Sequence, residues 1–345
     1  MGHLKSAPPL LKLAHKVRVV RGSAQVRHPV FVRDAIYVGA ADQDLTKLSA
    51  GSLEVIWRQP AGGFEPWTAL GSVILLTSLR TMQTRGIDLD GNELWTLEKK
   101  GRWGWGLWRD RLHSTDLDGG LSFADPETGQ LVEQFDIGAR PGEVVYGLCG
   151  DVLLLRGKSG DPFRAFDLVR RETIWERSLL AEVAGTYDVW DDLPLMITRP
   201  GTAGRFVGFR GNGVFGFSML DGRPLWGVRM RADSFDVHNG RVYFWTSALD
   251  VRFSRLVCLD EPTGAVLYDV TREAFVPWPV GAVSRHHIAY TSSTLGEIVV
   301  HRLVDGQELW RHSYPRGISD APLIAGNRLF VCGSDGSFLA FEGHI

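Results

Sequence analysis

Short apolar runs alternate with turn residues along the whole chain, and one unit of this pattern returns seven times. It appears as Ser52-Leu53-Glu54-Val55-Ile56-Trp57, Gly91-Asn92-Glu93-Leu94-Trp95, Gly129-Gln130-Leu131-Val132-Glu133 and Arg171-Glu172-Thr173-Ile174-Trp175. It continues as Gly222-Arg223-Pro224-Leu225-Trp226, Gly264-Ala265-Val266-Leu267-Tyr268 and Gly306-Gln307-Glu308-Leu309-Trp310. The last residue of each is an anchor, and the gaps between anchors are 38, 38, 42, 51, 42 and 42 residues. A fixed period of that length marks a repeat architecture. Ahead of each anchor come β-rich runs such as Ala35-Ile36-Tyr37-Val38-Gly39 and Arg241-Val242-Tyr243-Phe244-Trp245. A further run comes next, such as Arg255-Leu256-Val257-Cys258-Leu259-Asp260, then an Asp/Glu-Gly or Thr-Gly turn. The turn glycine can take positive φ without a side-chain clash. Four strands in about 42 residues make one propeller blade.

After Trp310 the chain supplies Asn327–Gly333 and Ser337–Phe341 and stops before a fourth strand. The run Leu10-Leu11-Lys12-Leu13-Ala14-His15-Lys16-Val17 can supply it. Such a closing strand, over residues 10–18, completes the last blade and removes an open edge. The expectation is an all-β, eight-bladed β-propeller of four-stranded antiparallel blades, spanning 1–345 as a single domain. Three departures interrupt the pattern. Glu133 stands at an aromatic anchor, Arg171 stands at a turn glycine, and the gap of 51 predicts an inserted loop over 199–213 in blade five.

The Asp-Gly-x-x-Leu-Trp unit resembles the tryptophan-docking motif of the PQQ-like, or quinoprotein-dehydrogenase-like, eight-bladed propellers, from Leu10 to Gly343. The same repeats also build non-catalytic scaffolds. In the PQQ enzymes the resemblance implies two adjacent cysteines above the cofactor and carboxylate and amide ligands for calcium. Here Cys149, Cys258 and Cys332 are far apart. The resemblance is therefore closer to the scaffold members, and no cofactor is expected.

Composition agrees. Glycine is 40 of 345 residues, which suits many tight turns, and 44% hydrophobic residues suffice for a large core. The net charge of −2 provides no broad basic field, which argues against nucleic-acid binding. No apolar stretch is long enough for a spanning helix. The N-terminus lacks the continuous apolar core of a signal peptide, and the cysteines read as buried free thiols, so a cytoplasmic location is expected. Met1-Gly2 through Ser6 fits only the loose myristoylation pattern.

Chemical motifs are weak. Gly211-Asn212-Gly213-Val214-Phe215-Gly216 spells a dinucleotide fingerprint, but Val214 through Met219 reads as a strand and not as a helix. Gly157-Lys158-Ser159 lacks the earlier glycine of a P-loop, and His286-His287 point to opposite faces of a strand. No metal site or hydrolase motif is expected. Seven tryptophans lie off the anchors: Trp67, Trp103, Trp105, Trp108, Trp190, Trp245 and Trp278. Trp245 is expected in the core. Several others fall in or just before innermost strands, together with Glu65, Glu143, Asp188, Asp236 and Asp320. Aromatic faces beside carboxylates suit a protein or peptide partner. The candidate binding residues are Trp67, Trp103, Trp105, Asp188, Asp236 and Trp278 at the channel mouth. The expected function is a non-enzymatic scaffold, with a PQQ-dependent oxidoreductase and a carbohydrate-binding propeller as alternatives. The oligomeric state is left open.

Overall fold

The computed structural model describes residues 11–19, 27–39, 44–78, 80–81, 83–98, 106–115, 120–138, 140, 143–157, 162–179, 196–200, 204–210, 213–230, 234–247, 254–272, 280–292, 296–319 and 321–343. These form 32 strands in eight four-stranded antiparallel sheets. They are the blades of an eight-bladed β-propeller, as the repeat predicts.

Blade 1 is β2 (Arg27–Val32), β3 (Ala35–Gly39), β4 (Asp44–Ser49) and β5 (Val55–Pro60). Blade 2 is β6 (Glu65–Leu70), β7 (Val73–Ser78), β8 (Gln83–Ile87) and β9 (Glu93–Glu98). Blade 3 is β10 (Gly106–Trp108), β11 (Arg111–Thr115), β12 (Gly120–Ala124) and β13 (Leu131–Asp136). Blade 4 is β14 (Val144–Cys149), β15 (Val152–Arg156), β16 (Phe163–Asp167) and β17 (Glu172–Arg177). Blade 5 is β18 (Met196–Pro200), β19 (Arg205–Arg210), β20 (Gly213–Ser218) and β21 (Pro224–Arg229). Blade 6 is β22 (Ser234–His238), β23 (Arg241–Ser247), β24 (Ser254–Asp260) and β25 (Val266–Arg272). Blade 7 is β26 (Val280–Val283), β27 (His287–Ser292), β28 (Glu297–Arg302) and β29 (Glu308–Ser313). Blade 8 is β30 (Leu323–Ala325), β31 (Arg328–Cys332) and β32 (Ser337–Gly343), completed by β1 (Leu11–Arg18).

Contacts divide the chain into two compact units, residues 1–69 with 276–345, and residues 70–275. In the first, Ile36, Val38 and Leu48 of blade 1 share a core with Phe330 and Phe338 of blade 8. Trp310 of blade 7 shares another with Leu11, Leu339 and Phe341. In the second, Phe163, Trp175, Phe206 and Phe217 join blades 4 and 5, and Trp226, Phe244 and Val257 join blades 5 and 6. Strands with both faces covered read as unbroken apolar runs, which is why β3 and β20 are buried almost throughout.

The closing strand forms as expected, with Leu11 opposite Gly343 and Arg18 opposite Ser337. Its register slips between Leu13 and His15. Leu11 is buried, whereas Leu13 stays 48% exposed because the bulge re-aims the side chains around it. The loop expected over 199–213 is corrected. That span holds the end of β18, all of β19 and the start of β20. Residues 180–195, ahead of β18, lie outside the described residues.

Candidate functional site

The repeat builds a joint between blades, and this joint sets what the anchors do. Asp125 opens the turn Asp125-Pro126-Glu127-Thr128-Gly129, and its carboxylate accepts the N–H groups of Glu127 and Thr128 at 2.9 and 2.8 Å. The Thr128 N–H is the main cause holding that carboxyl below its ordinary range. Gly129 closes the turn on Asp125 at φ 67°. Trp95 of the preceding blade then donates its indole N–H to the Pro126 carbonyl at 2.9 Å. Trp175 does the same to Met219, and Trp226 to Glu261, each at 2.7 Å. The rings lie against the turn glycines. A Cβ at Gly129 would sit 2.5 Å from Trp95, and one at Gly264 would sit 2.7 Å from Trp226. Trp95, Trp175, Trp226 and Trp310 are buried and structural as expected, whereas the anchor Trp57 is only partly buried.

One joint is built differently, and it unites two departures that look separate in the sequence. Glu133 stands where blade 3 would carry its tryptophan, and Arg171 stands where the next turn would carry glycine. The two are partners: Arg171 donates to the Glu133 carboxylate, which also accepts from Arg111 at 3.3 Å. Arg171 keeps the left-handed backbone of the lost glycine, with φ 59°. Its guanidinium lies 4.6 Å from the Phe135 ring centre. Phe123, Phe135 and Phe166 stack behind it at 5.9 and 6.4 Å. With no indole at residue 133, the side chain at residue 171 packs on the Phe135 ring instead.

Several described polar groups hold the blades. Glu143, one of the carboxylates noted near an innermost strand, is consumed by Arg164. That guanidinium donates to both Glu143 oxygens at 3.0 and 2.7 Å and to the Ile137 carbonyl at 2.9 Å. Their side chains are 6% and 4% exposed, so this is a buried pair that fixes the segment between β13 and β14. Trp108 donates to Asp151 at 3.2 Å, and Arg109 grips the same carboxylate while lying over the Trp108 ring. Trp245 is buried in β23, as expected. Burial pushes the Cys149 thiol up to about 12 and the Cys258 thiol up to about 11, so neither supplies a thiolate nucleophile.

Of the candidate binding residues, two fall within the described structure. Trp67 lies in β6 and Asp236 in β22, the first strands of blades 2 and 6, and both are partly exposed. The Asp236 carboxylate accepts the Val237 N–H at 2.9 Å. Glu65 begins β6 and is also partly exposed. Trp103, Trp105, Asp188 and Trp278 lie outside the described residues, as do Trp190 and Asp320. The adjacent cysteine pair that the resemblance places above the quinone in the PQQ enzymes has no counterpart in this sequence. The cysteines sit on β14, β24 and β31, one to a blade, and among the described residues no three His, Cys, Asp or Glu side chains could hold a metal ion.

Eight antiparallel blades with tryptophan–glycine joints define a propeller of PQQ-like repeats. Within that class the chain is similar to outer membrane protein assembly factors and closer to these scaffold members than to the quinone enzymes. A family profile described as "Outer membrane protein assembly factor BamB" matches residues 252–345. The curated BamB of Burkholderia pseudomallei is 26% identical, over 94% of this chain and 86% of its own length. The crystal structure of BamB from Moraxella catarrhalis superposes with a TM-score of 0.65 at 16% identity, covering 96% of this chain and 99% of that one. A quinohemoprotein alcohol dehydrogenase from Comamonas testosteroni gives 0.63 at 13% identity, covering 97% of this chain and 77% of that one. These structural likenesses carry the fold alone. The expected cytoplasmic location is corrected by the comparisons, since the matching profile and the curated relative are both outer membrane protein assembly factors.

Proposed function

We propose that this propeller is a non-enzymatic scaffold that engages a protein partner in outer membrane protein assembly. One observation carries the reading: the likeness to a BamB extends over 94% of the chain and 86% of the relative, so it covers a whole propeller and not a shared motif. The joints support it. Tryptophans, arginines and carboxylates that could serve chemistry are spent on locking blade to blade, which makes a rigid support for variable connections. The partner surface we propose carries Trp67, Trp103, Trp105, Asp188, Asp236 and Trp278, where indoles supply contact energy and carboxylates supply orientation and association rate.

The test is affinity capture from the protein's own cell envelope, with captured proteins identified by mass spectrometry. Parent, Trp67→Ala/Asp236→Asn and Trp103→Ala/Trp105→Ala chains are compared. The expected result is one or more outer membrane assembly proteins captured by the parent and lost, by about 2 kcal/mol or more in affinity, from a variant that melts like the parent. Equal capture by both variants moves the partner surface elsewhere. Capture of no such protein by the parent refutes the scaffold reading.

A further inference from the structure

The charge along the chain is uneven in a way that its total conceals. Residues 1–33 contain Lys5, Lys12, Lys16, Arg18, Arg21, Arg27 and Arg33 and no aspartate or glutamate; the first acid is Asp34. A net charge of +7 at one end therefore sits in a protein whose total is −2. The fold puts the heart of this segment on an edge. β1 is the outermost strand of blade 8 and, among the described strands, pairs with β32 alone. Lys12, Lys16 and Arg18 are exposed on it, with Leu13 beside them. Arg58 of β5 joins the group, donating to the Arg18 carbonyl at 2.8 Å.

Two acids face this strip. Asp335 lies 4.0 Å from Lys16, and Glu342, opposite Lys12 in register, is already held by Arg328. Other outermost strands do not share the character. β9, β13, β17, β25 and β29 each carry at least one acid, and β5 and β21 carry a single arginine each. Among the described outermost strands, β1 alone is richly cationic and free of acids.

We propose that Lys12, Lys16 and Arg18 of β1, with Arg58 beside them, form a docking surface for an anionic lipid bilayer. An added peptide strand fits less well. Lysines and a bulge interrupt the edge where its backbone ladder would form, and these are the devices that proteins use to block strand addition. A charged bilayer needs no register. It attracts a polybasic segment through the summed field, and exposed Leu13 adds an apolar contact between the lysines. Each cation near such a surface raises partition about fivefold, so neutralising three lowers it by at least about tenfold even with Lys16 shared with Asp335.

The experiment is co-sedimentation of the full chain with vesicles of phosphatidylglycerol mixed equally with phosphatidylcholine, against vesicles of phosphatidylcholine alone. The parent is expected to bind the anionic vesicles only, and to be released by salt. Lys12→Gln/Lys16→Gln/Arg18→Gln should lose that binding by at least about tenfold while keeping the parent's circular dichroism melt. Lys12→Arg/Lys16→Arg should keep it. Arg170→Gln/Arg177→Gln/Arg229→Gln, with the same charge removed from other blades, should keep it too. Binding that ignores lipid charge, or falls equally in the two neutralised variants, overturns the proposal. So does absence of vesicle binding, including the case where a polyglutamate peptide is bound through β1 instead, since that assigns the strip to an acidic protein.

Discussion

At the scale of single residues, the unit of cohesion is one indole laid on one turn. Trp226 donates to the Glu261 carbonyl and covers Gly264, so its removal opens a cavity and orphans an acceptor. Trp226→Ala should cost roughly 3–5 kcal/mol, and so should Trp310→Ala, whose ring packs on Phe341 at 5.2 Å. Denaturant unfolding measures both, and midpoints equal to the parent's would contradict the anchor role. The Glu133–Arg171 joint obeys the same logic in reverse. Glu133→Trp forces an indole against the Arg171 side chain and against Phe123, its cross-strand neighbour, so it should destabilise by about 1–3 kcal/mol although it restores the consensus residue. A stabilised Glu133→Trp protein would show that the pair is not a coupled replacement. His113 contributes a pH dependence. Burial lowers its value from 6.5 to about 4, so the unfolded chain takes up the proton first. The stability it contributes is complete above about 6.5 and is lost as pH falls from there toward 4, by an amount on the order of 1–3 kcal/mol. The drop in melting temperature between neutral and mildly acid buffer should be smaller in His113→Leu; an equal drop would show that His113 does not cause it.

At the scale of elements, the closing strand is the most exposed dependency in the fold. Removing residues 1–18 uncovers the full edge of β32, whose Phe338, Leu339 and Phe341 are buried in the intact chain. The expected result is aggregation or a melting temperature lower by several degrees, seen in light scattering and a thermal scan. A truncated chain as soluble and stable as the parent would contradict blade completion. This strand was legible in the sequence because the chain runs out after three strands of its last blade and Leu10–Val17 has the missing pattern. The repeat grammar also revealed the anchors, since the turn glycine and the indole are both required by one contact. What stayed hidden depends on partners far apart in sequence. Glu133 and Arg171 look like independent lapses until the turn of blade 4 is set against β13. Glu143 looks like a free acid until Arg164, on the third strand of its blade, reaches it. A loop is expected over Arg199–Gly213 because that span is rich in glycine and arginine, yet Gly208 and Gly213 lie inside paired strands. Leu13 is exposed although period two groups it with buried Leu11, because a bulge interrupts that rule locally.

At the scale of the whole molecule, sequence and fold say more about architecture than about place. The repeat encodes blade-to-blade locking, which is common to scaffolds and quinone enzymes alike. Location is absent from that grammar, and the cytoplasmic expectation gave way to the likeness with outer membrane protein assembly factors. The overall charge hid the N-terminal asymmetry for a similar reason, since a sum near zero carries no information about distribution. Above all stands the proposal that this propeller serves outer membrane protein assembly as a scaffold. The most direct measurement is the abundance of outer membrane proteins, quantified by mass spectrometry, in the source organism with its gene for this chain deleted and then restored. A scaffold in that process predicts a broad fall on deletion and recovery with the parent chain, whereas an unchanged outer membrane protein profile would contradict it.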